Sequence, residues 1–556
     1  MPSTRPVSDT SKTVVVRENP AENLAEEWTE QIQAPPQQLS GRKSRPGSVH
    51  HNTTRPERAD GKVELQDTDC YDKLGFRYST VKKWTILSVI FAVQTSMNFN
   101  ASIYANAVGG ISNNFGVSKR AARLGQAVML IAYAFGCELW APWSEELGRW
   151  PVLQLSLFLV NIWQLPCALA PSFNTMIVGR ALVGLSSAGG SVTLGMVADM
   201  WEPDDQQYAV AFIVFSSVGG SALGPIFGGF IETYLHYKWV FWIQLIFGVV
   251  VQIMHFFIVP ETRSSILVDR EAKRRRKSGE DPNAYGPTEL KEQRISPKKV
   301  LTIWIRPFEM FVREPIVLCL SLLSGFSDAL IFTFLESFTP VLKQWNFTVI
   351  TTGLAFCSIV LGYVIAYFSF FPFIHRDRQI RRRDPNALQP ERRLYWLLFL
   401  APCLTVGLFG FAWTSLGPPH VHWIAPLIFA TLIGIANYAI YQATIDYMIA
   451  SYGPYSASAT GGNGFARDLL AGIAAFYATP MYENIGHRYK LEWPTTILAF
   501  LAILVTIPIY VFYWKGPAIR KRSKFAQVLA SDRKARGVSK ANTEGGEARR
   551  PAEHDV

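Results

Sequence analysis

Apolar and polar positions alternate along this chain in long blocks rather than residue by residue. Twelve apolar blocks occupy 84–108, 121–143, 151–171, 176–198, 208–231, 239–259, 315–338, 348–372, 395–415, 423–446, 460–482 and 493–514. A helix of about 20 apolar residues crosses the hydrocarbon core of a bilayer. Inside that core each backbone N–H and C=O must bond within its own segment, so each block is predicted as a transmembrane helix. They are numbered spans one to twelve. The polar stretch 261–313 divides them six and six. The predicted organisation is a cytoplasmic tail (1–79), a six-helix half (80–260), a central cytoplasmic loop (261–313), a second six-helix half (314–515) and a cytoplasmic tail (516–556). Both tails are rich in charged and small residues and are expected to be disordered. The fold class is all-α membrane protein.

Composition agrees: 49% of the 556 residues are hydrophobic and only 17% are charged, against about 25% charged in soluble proteins. The first 75 residues carry no apolar core of a cleaved leader, so span one is expected to act as an uncleaved signal anchor. The net charge of +11 comes from basic runs that flank the spans, which assigns it to cytoplasmic loops and excludes a nucleic-acid partner. With both termini inside, the cytoplasmic side carries Lys82, Lys83, Arg149, Arg270–Lys277, Arg378, Arg381–Arg383, Arg392, Arg393, Lys515 and Arg520–Arg522. The outer side carries Lys238, Lys343, Arg488 and Lys490. Lys119, Arg120 and Arg123, in the first outer loop, break this rule and find no explanation in the sequence. Asn346, in Asn346-Phe347-Thr348, is an N-glycosylation candidate in the outer loop after span seven; Asn52 also fits the pattern but faces the cytoplasm.

Six scattered cysteines show no metal-binding spacing, so neither metal nor cofactor is expected. No P-loop, nucleophile elbow or paired-histidine motif is present, which argues against an enzyme. No repeated filter pattern argues for a channel.

In span five, residues 220–229 read G-S-A-L-G-P-I-F-G-G. Gly220, Gly224 and Gly228 share a helix face that lets another helix come close, and Pro225 frees a carbonyl and bends the helix. The pattern resembles the antiporter motif of major facilitator superfamily drug exporters. Further segments resemble that family in its own order. Ala141 to Pro151 (A-P-W-S-E-E-L-G-R-W-P) is similar to its loop signature, with Glu145, Gly148 and Arg149 at the latch positions, but Ala141 and Trp150 replace a glycine and an arginine. Arg180, followed by Gly184, Ala188, Gly189 and Gly190, resembles the fourth-span motif whose arginine is tied to proton coupling. Ala198-Asp199 to Pro203, Pro260-Glu261-Thr262, Pro390-Glu391-Arg392-Arg393-Leu394, Tyr447 to Tyr452 and Ser456 to Arg467 complete the series. Ala450 stands where the family has aspartate, and Asp446, one turn earlier, lies on the same face.

The resemblance covers about residues 80–522 and implies two six-helix halves around a central cavity. It identifies the chain with the twelve-span fungal drug:proton antiporters: exporters of hydrophobic metabolites, toxins or drugs, with uptake symport or polyamine export as alternatives. It implies a small-molecule substrate and protons as partners, a monomer in the bilayer, and the plasma membrane as location.

Intramembrane carboxylates are the candidates for carrying the proton. Glu138 (span two) and Asp328 (span seven) stand out, with Arg180 as the coupling cation and Glu336 nearer the outer end; the alternatives are a snorkelling arginine and structurally bonded acids. The small residues of Ser324-Gly325-Phe326-Ser327, beside Asp328, are expected to admit water. Gln94, Asn98 and Asn100 of span one, Asn437, Tyr438, Tyr441 and Gln442 of span ten, and Arg467 of span eleven are the candidate substrate contacts, with helix–helix hydrogen bonding as the alternative. Arg180 and Arg467 balance Glu138 and Asp328, which points to neutral or anionic aromatic substrates.

Overall fold

The structure, a computed structural model, describes residues 62–187, 189–202, 205–290, 297–384, 389–486, 488–523 and 525–526. Asn52, Ala188 and Pro203 lie outside the described residues, as do 1–61 and 527–556 of the tails. Ten helices among the described residues are long and apolar enough to cross a membrane. They are Thr80–Phe115, Lys119–Glu146, Arg149–Ala168, Gln206–Tyr234, Trp239–Ile258, Pro315–Trp345, Val349–Arg383, Pro390–Thr414, Ile424–Tyr452 and Glu492–Arg520. They match ten of the twelve predicted spans. The other two are helical as well. Span four is divided into Phe173–Ser186 and Gly189–Met200, where Ser187 takes an extended backbone. Span eleven is one helix, Ser456–Asn484, whose apolar character is diluted by Arg467 and Asp468.

Helix packing repeats from one half to the other. Span one packs on five, two on four, three on four and six; correspondingly seven packs on eleven, eight on ten, nine on ten and twelve. Each of these four pairings in the first half recurs six spans later. The halves meet where span two lies against eleven and where span five lies against eight and ten. Spans three, six, nine and twelve turn apolar side chains outward, among them Phe158, Phe257, Phe399 and Leu504. An exposed apolar belt of this kind suits a lipid surface.

At the end of the molecule that carries the central loop, part of the tail expected to be disordered is ordered. Val63–Glu64 forms a two-residue parallel ladder with Ala284–Tyr285 of the central loop. Leu65, Cys70 and Leu74 bury against Val268 and Ala272 of the loop helix Ser264–Ser278. Arg275 donates to the Asp69 carbonyl at 2.9 Å, and Arg276 holds Glu289 with two bonds of 2.8 Å. Hydrogen bonds from Arg274 and Arg275 hold the Glu271 carboxyl down at about 2. The ordered chain therefore begins before residue 80. The central loop contributes two helices, Ser264–Ser278 and Pro297–Arg313.

Candidate functional site

The antiporter-like motif is a contact surface with two sides. Positions where Cβ atoms would stand on Gly220, Gly224 and Gly228 are taken by Thr95 and Asn98, Ser102 and Ile103, and Asn106 of the first helix. With glycine there, the Ser102 hydroxyl donates to the Gly220 carbonyl at 3.4 Å. Gly229 faces the other way, against Val349 at the start of span eight, and Gly353 lies against the Pro225 carbonyl. The motif thus joins span five both to its own half and to the opposite half.

A charged cluster lies where spans two, seven and eleven meet. Arg467 donates through Nε and Nη2 to Oδ1 of Asp468 at 3.1 and 2.9 Å. Its Nε lies 4.0 Å from Asp328 Oδ2, and its guanidinium sits 4.5 Å over the Tyr441 ring. Arg467 also donates across the seam to Ser217 Oγ of span five at 3.4 Å. Glu138 presses from the first half against Gly461 of span eleven, both carboxylate oxygens being 2.8 Å from where a Cβ would stand. Glu138 Oε1 and Asp468 Oδ2 are buried without a hydrogen-bond partner among the described residues. Asp468 escaped sequence reasoning, although a second charge next to Arg467 inside an apolar block was its signal. Ser217 escaped too; it also accepts from Gln94 at 3.3 Å. Gly325, expected to admit water beside Asp328, instead lets span seven close on Ala466 and Leu470 of span eleven.

Arg180 is 1% exposed and does not snorkel. It donates to Asn100 Oδ1 (2.8 Å), the Asn100 carbonyl (3.2 Å) and the Gly125 carbonyl (3.3 Å), and stacks 4.7 Å over Tyr104. Neutral oxygens, not a carboxylate, satisfy this cation, and Asn100 is occupied in doing so. Several expected substrate contacts also bond to backbone carbonyls. Asn98 donates to the Gln94 carbonyl at 3.0 Å within its own helix, and Asn437 to the Ser327 carbonyl at 2.9 Å. Tyr438 donates to the Ala211 carbonyl of the opposite half at 3.0 Å. Gln94, Asn437 and Gln442 keep buried side-chain atoms unpartnered, both of them in Gln442.

The latch is built differently from the sequence expectation. Arg149 pairs with Asp199 at 3.1 Å and donates to Ser144 at 2.6 Å. Glu145 only adds to the negative field around Arg149. Glu261 accepts from the backbone N–H groups of Arg149 and Trp150 at 3.0 and 3.2 Å. Gly148, at φ +108°, is required both for that backbone shape and because the Glu261 carboxylate fills its Cβ position. The second half repeats the arrangement: Arg393 pairs with Asp446 at 2.5 Å, and Arg520 with Glu391 at 2.8 Å. Asp446 thus pairs with Arg393 in the second half as Asp199 pairs with Arg149 in the first.

Ion pairs and hydrogen bonds close the seam at both ends. At the end that carries the central loop, Arg378 pairs with Asp205 at 2.7 Å. Gln207 bridges Arg381 and Asp446 with bonds of 2.7 Å each. At the opposite end Arg123 pairs with Glu336 at 2.7 Å, and Glu336 accepts from Thr479 at 3.2 Å. This pair gives Arg123 of the anomalous outer cluster a physical reason. Asn346 is exposed in a left-handed conformation in the loop after span seven.

Residues 90–476 match the model of the Major Facilitator Superfamily. The chain is 32% identical to the transporter paaT of Penicillium rubens, over 81% of each chain. It is also 32% identical to the efflux pump atB of Aspergillus terreus, over 73% of this chain and 83% of that one. Its fold superimposes on the xylose transporter XylE of E. coli with a TM-score of 0.54 at 16% identity, covering 78% of this chain and 98% of the other. The chain belongs to the Major Facilitator Superfamily, a family of membrane transporters and not of enzymes, alongside its fungal drug-efflux members.

Proposed function

We propose that the protein exports hydrophobic or amphipathic small molecules from the cytoplasm in exchange for protons, by alternating access across the plasma membrane. The observation that carries this reading is the cluster of Glu138, Asp328 and Asp468 around Arg467. One guanidinium offsets one carboxylate, and further unbalanced charge is costly in a dry site. The remaining acids then hold protons when the seam is closed and release them when one side admits water. Glu138 belongs to the first half, Asp328 and Asp468 to the second, so rocking of the halves changes the surroundings of all three. Arg180 supports the first half from a separate position. Tyr441, Gln442, Gln94 and Asn437 offer the substrate a ring face and unpartnered amide atoms. Similarity to fungal transporters, efflux pumps among them, supports export over uptake.

Efflux of fluorescent hydrophobic dyes, with and without a proton uncoupler, tests this. Efflux should stop with the uncoupler and in Glu138→Gln or Asp468→Asn. Uncoupler-resistant efflux, or inward accumulation of a nutrient, would overturn it. Asp468, a third acid facing one cation, favours a second reading, polyamine export. Loss of spermidine efflux in Asp328→Asn with dye efflux intact selects that reading.

A further inference from the structure

The structure assigns a second binding site, which shares no lining residue with the proposed substrate contacts, for an amphipathic carboxylate. A cavity of about 750 Å³ opens between spans seven, eleven and twelve in the outer part of the second half. Pockets for small organic ligands run from about 300 to 1,000 Å³. Its walls are apolar and aromatic, with Phe326, Leu470, Tyr477, Met481 and Leu498 among them, and Arg120 is the one charged residue of its lining. Arg120 comes from the first half, so the site is complete only while the two halves are together on the outer side.

Charge decides the occupant. Of the three neighbouring cations Lys119, Arg120 and Arg123, Arg123 is bound to Glu336. Arg120 makes no ion pair with any described acid, and no acid lines the cavity. A guanidinium at the rim of an apolar pocket binds a carboxylate by charge-assisted, bidentate hydrogen bonds while the pocket takes the hydrocarbon. A neutral amphiphile gains only the second term, and a cationic one is repelled.

Position decides the consequence. Arg120 lies one turn before Arg123, and Tyr477 and Pro480 of the cavity flank Thr479, which donates to Glu336. An occupant that holds Arg120 against the second half therefore favours the closed outer latch. This inference does not rest on proton exchange, since binding is read without transport.

The test uses the full chain in nanodiscs of phosphatidylcholine, with a diazirine-bearing palmitic acid and the matching diazirine-bearing hexadecanol as probes. The acid should label segments within 470–501 saturably. In Arg120→Gln its apparent affinity should fall about tenfold or more, the equivalent of one charge-assisted contact, to that of the alcohol, with alcohol labelling unchanged. Ala329→Trp, which fills the cavity, should abolish labelling by both, with unchanged melting of both variants as the control for folding. Equal labelling by acid and alcohol in the unsubstituted protein would mean a groove filled by ordinary acyl chains, and it would overturn the proposal. So would acid labelling that survives Arg120→Gln, or no saturable labelling.

Discussion

Replacing Glu336 with glutamine removes one charge from the outer end of the seam and little else. The amide oxygen still accepts from Thr479, and the side chain keeps its shape. The broken pair is Arg123–Glu336, at 2.7 Å, with side chains only 16% and 12% exposed. Fully exposed pairs contribute about 0–1 kcal/mol, and breaking a fully buried pair costs about 3–5 kcal/mol. This pair lies between, so about 1.5–3 kcal/mol is lost from the closed outer state, which is about a ten- to hundredfold shift toward outer opening. Spin labels at Asn114 and Lys343, in a variant without native cysteines, report the outer separation of the halves by pulsed electron resonance. The ratio of long- to short-distance populations should grow by that factor in Glu336→Gln and return toward its original value when Arg123→Glu is combined with Glu336→Arg. A distribution that is the same in all three proteins refutes the latch.

Gly224→Leu places a branched chain where Ser102 and Ile103 of the first helix already stand; overpacking should cost about 1–3 kcal/mol, read as a lower melting temperature in detergent. Arg149→Gln leaves Asp199 buried beside only Arg263, 3.6 Å away, and should destabilise by about 3–5 kcal/mol. Arg149→Lys should not restore the loss, because an ammonium cannot reach Asp199 and Ser144 in the same planar geometry; thermal melts of both variants check this. Glu271 has a folded-state pKa of about 2, below the ordinary carboxylate value. Its stabilisation of the cytoplasmic clasp is complete above that ordinary value, about 4.3, and is lost as pH falls toward 2. Protection factors over 264–278, with exchange referred to the intrinsic rate at each pH, should therefore be the same at pH 7.5 and 5.5, and should fall at pH 5.5 once Arg274 and Arg275 are both replaced by alanine.

Much of this molecule could be read in one dimension. Block hydrophobicity located the helices, because hydrocarbon forces each segment to bond its own backbone, and that rule is local in sequence. The glycine row 220–229 announced a close helix contact, because spacing of four is a helix face. Arg180 and the pairing of a loop arginine with an acid were expected as types. What the tertiary structure decided was which partner each one meets. Asp199 and Glu261, not Glu145, surround Arg149, since they arrive from the ends of spans four and six. Asn100 was expected to meet substrate and instead holds Arg180. Asn98, Asn437 and Tyr438 bond to backbone, because a buried amide or hydroxyl takes the nearest carbonyl. The Arg123–Glu336 pair joins residues more than two hundred positions apart, on opposite halves of the molecule, and no local pattern encodes that distance. Sequence determined which segments lie in the membrane and which side chains are costly there; how the two halves meet determined which of those charges face one another.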